Sequence, residues 1–90
     1  MKSVRWNAEK NTQLQEKREI SFEDIVIAIQ QGNLLDVIEH PNAEKYSHQK
    51  IFIVKAKDYV YLVPFVEDAE EIFLKTIIPS RKMKKKYLGG

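Results

Sequence analysis

The clearest hydrophobic pattern in the chain predicts a helix that begins after Ser21. Its apolar residues recur at positions i, i+3, i+4 and i+7, as on one face of a helix: Phe22, Ile25, Val26 and Ile29. Asp24 follows Ser21 at the spacing of a capping box, and Gly32 suits the left-handed conformation that ends a helix. Before it, a mostly polar segment predicts another helix over about 8–18, with Asn7 as its N-cap.

Beyond Gly32 the apolar pattern changes and predicts strands. The expected strands cover residues 34–38, 51–54, 59–63 and 72–78, with a short edge strand at 3–6. A loop over 40–48 separates the first two of these four strands, and short links between the last three imply an antiparallel meander. Pro64 cannot donate a hydrogen bond to a neighbouring strand, so we expect it on the outer side of an edge strand or at a bulge.

These elements predict one domain over residues 1–90 with an α+β fold. Two N-terminal helices should pack on a four-stranded antiparallel sheet. A short basic helix over about 81–87, capped by Ser80, should end the domain.

Both alternating sets of side chains in the predicted strands are largely apolar. In 59–63, for example, Tyr61 and Val63 alternate with Val60 and Leu62. A sheet with one wet face would alternate apolar and polar residues, so both faces need a cover. The N-terminal helices can cover one face, and the other is left either to a partner protein or to the C-terminal helix.

The charges change the picture because they are segregated along the chain. The 90 residues are 43% hydrophobic and 31% charged, as in a globular domain, and their formal net charge is only +2. However, residues 67–71 are mostly acidic, whereas 81–86 contains five of the 15 basic side chains. The basic run is expected either to bind phosphate or to form a solvated tail.

Composition also excludes several classes of protein. The chain has no cysteine, which excludes disulfides, thiolate metal sites and cysteine catalysis. It has no apolar run of the roughly 18 residues that a membrane span needs, and its first residues are unlike a signal peptide. We therefore expect a cytoplasmic protein that does not contact membranes.

No self-sufficient catalytic motif is present. His40 and His48 do not lie in a metal-ligand spacing, and the glycines form neither a phosphate loop nor a serine-nucleophile motif. Neither a metal nor a cofactor is predicted. RNA cleavage without a metal needs a base, an acid and cations beside the phosphate, and the chain has side chains of these types.

The candidate residues fall into two groups. The predicted catalytic residues are Arg81, Lys75, Lys50, His48 and Glu67, with the histidine and the glutamate as proton-transfer groups. The predicted RNA-binding residues are Lys55, Thr76, Lys82, Lys84, Lys85 and Lys86. Each also has a structural explanation, because lysines protect strand edges and loop histidines are usually solvated.

Two regions of the chain point to a family. Trp6–Asn11 contains an aromatic residue and a lysine–asparagine pair, and Ile20–Ile25 opens with a hydrophobic-Ser-Phe-Glu pattern. Phe73–Lys82 joins an apolar strand to an arginine-containing motif, and Tyr87 is an aromatic residue close behind it. Spanning about residues 4–88, these features resemble the BrnT family of ribonuclease toxins, whose compact fold is related to RelE.

The resemblance implies a growth-arresting endoribonuclease, with Arg81 as the matching functional residue. It also implies a cognate antitoxin with a ribbon-helix-helix DNA-binding domain, so that DNA would be contacted only through the antitoxin. The chain departs from the family pattern at Thr76, at Pro79 and at 63–65, where a basic residue, a small residue and a histidine are common. The alternatives are a non-enzymatic module that binds protein or nucleic acid, and a domain with no toxicity.

Overall fold

The computed structural model describes residues 2–42, 44–45 and 48–89, a range that leaves out part of the predicted 40–48 loop. Its elements in chain order are β1 (Ser3–Trp6), α1 (Ala8–Arg18), α2 (Phe22–Gln30), β2 (Leu34–Glu39), β3 (Gln49–Ala56), β4 (Tyr59–Glu67), β5 (Glu71–Leu74), β6 (Ile78–Pro79) and α3 (Arg81–Leu88). Within the described residues this is an α+β fold of three helices and one six-stranded mixed sheet.

The strand order is β1-β5-β4-β3-β2, and β6 pairs with β4 beyond the end of β5. β1 runs parallel to β5, with Val4 opposite Ile72, whereas the other pairs are antiparallel. The predicted arrangement of two N-terminal helices on a four-stranded antiparallel sheet is therefore wrong. Local patterns indicated the strand at 3–6 but not its partner, which lies at the other end of the sequence.

The predicted strand over 72–78 is broken in two, and Pro64 explains the position of the break. The register shifts by one residue between the pairs Phe65↔Leu74 and Leu62↔Ile78, as at a bulge. Between these pairs the Lys75 amide donates to the Pro64 carbonyl at 2.8 Å, but proline has no N–H to return a second bond. Pro64 thus lies opposite a bulge, one of its two expected positions.

The ends of the helices follow the sequence signals. Asn7 caps α1, its Oδ1 accepting from the Lys10 amide at 2.9 Å. The capping box of α2 is complete, because the Ser21 hydroxyl accepts from the Asp24 amide and the Asp24 carboxylate accepts from the Ser21 amide, both at 3.0 Å. Gly32 has a φ of 85°, in the left-handed region that glycine adopts without strain.

The main core lies between the two N-terminal helices and one face of the sheet, here called the helix face. Phe22 and Ile25 of α2 are fully buried in a cluster with buried apolar side chains of β3, β4 and β5. Phe52 and Phe65 stack within this layer, with ring centroids 3.8 Å apart. Burial of this apolar area is the main contribution to stability, at roughly 25 cal/mol per Å².

The opposite face of the sheet is covered by α3. This helix contacts β4 near its start, and the Tyr87 hydroxyl near its end donates to Asp36 of β2 at 3.0 Å. A helix of eight residues is about 12 Å long, enough to cross from β4 over β3 to β2. Ile53 and Val60 of this face are almost fully buried. Of the two covers considered for this face, the chain supplies its own.

Candidate nucleic-acid interface

Two hydrogen bonds of Ser80 and the conformation of Gly89 define where α3 begins and ends. Ser80 is its N-cap, and the Ser80 hydroxyl accepts from the Met83 amide at 3.2 Å. The Ser80 amide donates to the Val60 carbonyl at 2.9 Å, which fixes the start of the helix on β4. Gly89 ends the helix in a left-handed conformation with a φ of 68°. The helix begins at the predicted residue and ends one residue after the predicted boundary.

Few side chains of α3 contact the sheet. Met83 and Tyr87 are half-buried, and no residue of the helix is fully buried. The Lys84 ammonium lies 5.1 Å from the centre of the Tyr59 ring, a cation–π contact at the end of the β3–β4 hairpin. The hydrogen bond that the Tyr87 hydroxyl donates to the Asp36 carboxylate raises the pKa of Tyr87 above its usual value.

The outer face of α3 is a cationic surface. It consists of four exposed side chains and, at the margin toward the sheet, the half-buried Lys84; the exposed ones are Arg81, Lys82, Lys85 and Lys86. None of the five forms an ion pair with a carboxylate in the described part of the chain. Other cations do form such pairs, as Lys2 does with Glu67 at 2.8 Å and Lys57 with Asp24 at 3.4 Å.

The sequence of α3 opposes its own helical conformation. Its first turn contains cations and no acidic residue, although the N-terminal end of a helix dipole favours negative charge. Four like-charged pairs stand at i,i+3 or i,i+4 spacing: Arg81–Lys84, Lys82–Lys85, Arg81–Lys85 and Lys82–Lys86. Each such pair costs about 0.2–0.5 kcal/mol. A polyanion bound to this surface would relieve both unfavourable effects.

Some of the other predicted site residues lie near α3. Lys55 is opposite Val60 in the β3–β4 register, and Val60 is bonded to Ser80, so Lys55 lies about two strand spacings from the start of α3. Lys75 and Thr76 occupy the bulge between β5 and β6. The exposed Lys75 ammonium lies 5.8 Å from the centre of the Phe73 ring.

The remaining predicted site residues lie at the other end of the sheet. Glu67 is the last residue of β4, and His48 and Lys50 belong to the beginning of β3 or to the turn before it. Seven residues of extended strand separate Glu67 from Val60, a span of about 23 Å. The fold therefore does not bring the five predicted catalytic residues together, because Arg81 is far from both proton-transfer candidates.

Glu67 forms an ion pair with Lys2 at this end of the sheet. The Lys2 ammonium donates to its carboxylate at 2.8 Å, and this hydrogen bond lowers the pKa of Glu67 below its usual value. A carboxylate with a lowered pKa is a weak base at neutral pH and rarely carries a proton to donate. Glu67 is thus better placed for an ion pair with Lys2, the residue before β1, than for proton transfer at α3.

Sequence reasoning missed three groups that the fold places in structural positions. Tyr59 and Asp36 anchor α3 through its Lys84 and Tyr87 side chains, and no local pattern links them to that helix. Arg18 of α1 donates to the Ile77 carbonyl at 2.6 Å, which supports the bulge before β6. A run of cations following a cap was the signal for α3 itself, but its contacts depend on the tertiary fold.

Two further observations concern the described residues. They contain no group of three or more histidine or acidic side chains that could hold a metal ion. None of their helices combines the length and the apolar character needed to cross a membrane.

Comparison with protein-family models, curated proteins and solved structures gave no match for this chain.

Proposed function

We propose that this protein binds RNA through α3 and acts as the toxin of a cytoplasmic toxin–antitoxin pair. The observation that carries the proposal is the cationic surface of α3, whose five positive side chains have no carboxylate partner among the described residues. Phosphate groups supply the missing negative charge, and a flexible single strand can follow an exposed helix of this length. The resemblance of Trp6–Asn11 and Phe73–Lys82 to BrnT toxins adds the toxin role.

In this proposal Arg81 contributes more than its lysine neighbours. It is the first residue of α3, where backbone N–H groups and the helix dipole also favour an anion. A guanidinium can bind one phosphate through two parallel hydrogen bonds, whereas an ammonium acts as a single point charge. If RNA is cleaved, the proposed centre is Arg81 with Lys55, while Lys75 and Thr76 lie about 13 Å away along β4 and His48 and Glu67 lie outside it.

The second candidate is a module that binds RNA without cleaving it. The position of His48 and Glu67 favours this version, because Glu67 lies about 23 Å along β4 from Val60, where α3 begins, and neither proton-transfer candidate can reach a phosphate held by Arg81. In either version the protein would be neutralised by a cognate antitoxin, for which the resemblance implies a ribbon-helix-helix domain. DNA would be contacted through that antitoxin only.

Binding is tested with a fluorescein-labelled single-stranded RNA and two double variants of equal charge. Lys85→Gln with Lys86→Gln changes the cationic surface, whereas Lys10→Gln with Lys17→Gln changes α1 on the other side of the sheet. If about three phosphates are contacted, log K falls with log salt at a slope near −2, and the α3 variant flattens this slope by about 1.4. A slope that the α3 variant leaves unchanged overturns the proposed site.

Activity is tested by inducing the chain alone in bacteria while growth and total RNA are followed. Growth arrest with RNA fragmentation supports the nuclease, and arrest with intact RNA supports the non-cleaving version. Arg81→Lys should relieve the arrest although it keeps the charge. Normal growth at high soluble expression, with RNA binding retained, removes the toxin role and leaves an RNA-binding module.

A further inference from the structure

An open apolar groove lies on the helix face of the sheet, beside β1. Its volume is about 320 Å³. The apolar residues that line it come from α2 and three strands: Val4, Val26, Ile29, Phe52, Ile72 and Leu74. Val4 is 40% exposed, a large fraction for an apolar side chain beside a core. The polar residues of the lining are Lys2, whose charge is paired with Glu67, and Gln30.

The groove opens directly onto a free strand edge. β1 is the outermost strand, and its Ser3 amide donates to the Glu70 carbonyl at 3.2 Å. In a parallel ladder alternate residues bond to the same neighbour, so Ser3 and Arg5 face β5 while the backbone groups of Val4 and Trp6 point away from it. A strand added there would place alternate side chains on the same face as Val4, at the open side of the groove.

The other side of this edge carries an available positive charge. Arg5 lies on the face opposite the groove, its side chain is 70% exposed, and its nearest carboxylate contact, to Glu71, is 3.9 Å. That distance is too long for a hydrogen bond. An acidic side chain on an added strand could approach the Arg5 guanidinium more closely than Glu71 does. The edge therefore offers an apolar site on one face and a cationic site on the other.

We propose that β1 and this groove bind an extended segment of a partner protein in which apolar and acidic residues alternate. The segment pairs with the backbone of Val4 and Trp6, places its apolar side chains beside Val4 at the open side of the groove, and directs its acidic side chains toward Arg5. A small apolar ligand fits less well, because the groove has no set of converging polar groups to orient one. This site is separate from α3, so it does not depend on RNA binding.

The probe is an end-blocked eight-residue peptide of alternating leucine and glutamate, titrated into the ¹⁵N-labelled full chain. Binding should shift the amide signals of Val4 and Trp6 and change the fluorescence of Trp6, the chain's single tryptophan. A peptide of the same composition with its leucines and glutamates in two blocks should not bind. Equal binding of both peptides overturns the proposal.

Two protein variants test the backbone and the charge separately. Val4→Pro removes an outward N–H and should weaken binding about 3- to 10-fold, whereas Val37→Pro should have no effect. Val37 is 42% exposed on the opposite edge strand, and its amide contacts only its neighbour's carboxylate, so it is a matched control. Equal weakening by both prolines contradicts pairing at β1.

The charge variant does not alter the backbone and keeps the test decisive if Val4→Pro fails to fold. Arg5→Glu should lose the leucine–glutamate peptide and gain a leucine–lysine peptide. Unchanged preference for the acidic peptide overturns the assignment of Arg5. Sedimentation of the free chain is the last measurement. A dimer that Val4→Pro converts to a monomer would identify a second copy of the chain as the occupant and would reject the proposed partner.

Discussion

Asn11, which belongs to the lysine–asparagine pair of the sequence, has a structural role. It is 8% exposed, its Oδ1 accepts from the Phe22 amide at 2.7 Å, and its Nδ2 donates to Glu23 at 2.6 Å. The side chain thus joins α1 to the start of α2. The lysine–asparagine pair of the family resemblance is therefore, at its asparagine, a link between helices.

We predict that Asn11→Ala lowers the free energy of unfolding by about 1–3 kcal/mol, because the buried Phe22 amide loses its acceptor. Urea denaturation measures the change. Thr12→Ala on the same helix removes only an exposed hydroxyl contact to Ala8 and should have a much smaller effect. Both substitutions favour the helix by propensity, so a loss from Asn11→Ala no larger than that from Thr12→Ala would contradict the link to α2.

The carboxylate of Asp24 should make stability depend on pH. Burial raises its pKa, but hydrogen bonds from Ser21 and from Lys57 outweigh this effect, so the folded pKa lies below 3.8. A lowered folded pKa stabilises the fold above the unfolded value, and that stability is lost as the pH falls through the folded pKa. We predict that Asp24→Asn loses less stability than the natural chain between pH 5 and pH 2, about the range expected for such a carboxylate, in urea titrations. Identical pH profiles would contradict a role for Asp24.

At the residue scale the sequence was most informative about helix ends. Asn7, Ser21 and Ser80 cap the helices that they were expected to cap, because a cap depends on residues within four positions. The partner of Asn11 was not predictable in the same way. Glu23 lies 12 positions away, and its contact exists only because α1 and α2 fold against each other.

At the scale of the element, α3 combines an unfavourable charge pattern with a weak attachment to the sheet. Lys82 stands in the first turn and faces Lys85 and Lys86 at i+3 and i+4. We predict that Lys82→Glu raises the free energy of unfolding by about 0.5–1 kcal/mol, because it reverses two repulsive pairs and suits the helix dipole. The same variant should weaken RNA binding, so stability and function should change in opposite directions.

Lys82→Gln is the matched control for this trade-off. It removes the repulsion without adding attraction, so both its stability and its RNA affinity should lie between those of the natural chain and Lys82→Glu. Thermal denaturation and the RNA titration measure the two quantities. A Lys82→Glu variant that loses stability would show that the cations of α3 do not repel one another in the folded state.

The strand over 72–78 shows where pattern reading reaches its limit at this scale. Leu74 and Ile77 are both buried in the helix-face core, although an odd separation should place them on opposite faces of a regular strand. The chain resolves this conflict with a bulge opposite Pro64. The apolar run correctly predicted strand structure, but nothing in its pattern indicates the change of phase within it.

At the scale of the whole molecule, the centre of the sheet should be its most stable part. β3 and β4 have neighbours on both edges and cover on both faces, and Val60 and Val63 have no exposed surface. We predict that native-state hydrogen exchange is slowest in the shared ladder of β3 and β4 and much faster in β1. Protection of β1 equal to that of β4 would indicate a single cooperative unit and contradict this order.

The candidate site was predictable in part because its residues are contiguous. The basic run that became α3 was visible as a run, and so was the cap that starts it. The separation of Arg81 from His48 and Glu67 was not visible in local patterns, because it depends on the direction and order of strands that pair across the sheet. That information lies in contacts such as β1 with β5, between residues 68 positions apart, as for Ser3 and Glu71.

The pairing of β1 with β5 also sets an order of events during synthesis. Translation at about 5–20 residues per second takes roughly 3–14 seconds to pass from residue 3 to residue 71. Throughout that interval the first strand has no neighbour, and the wall that Ile72 and Leu74 provide for Val4 does not exist. A ligand that requires the assembled groove therefore binds finished molecules in preference to chains still on the ribosome.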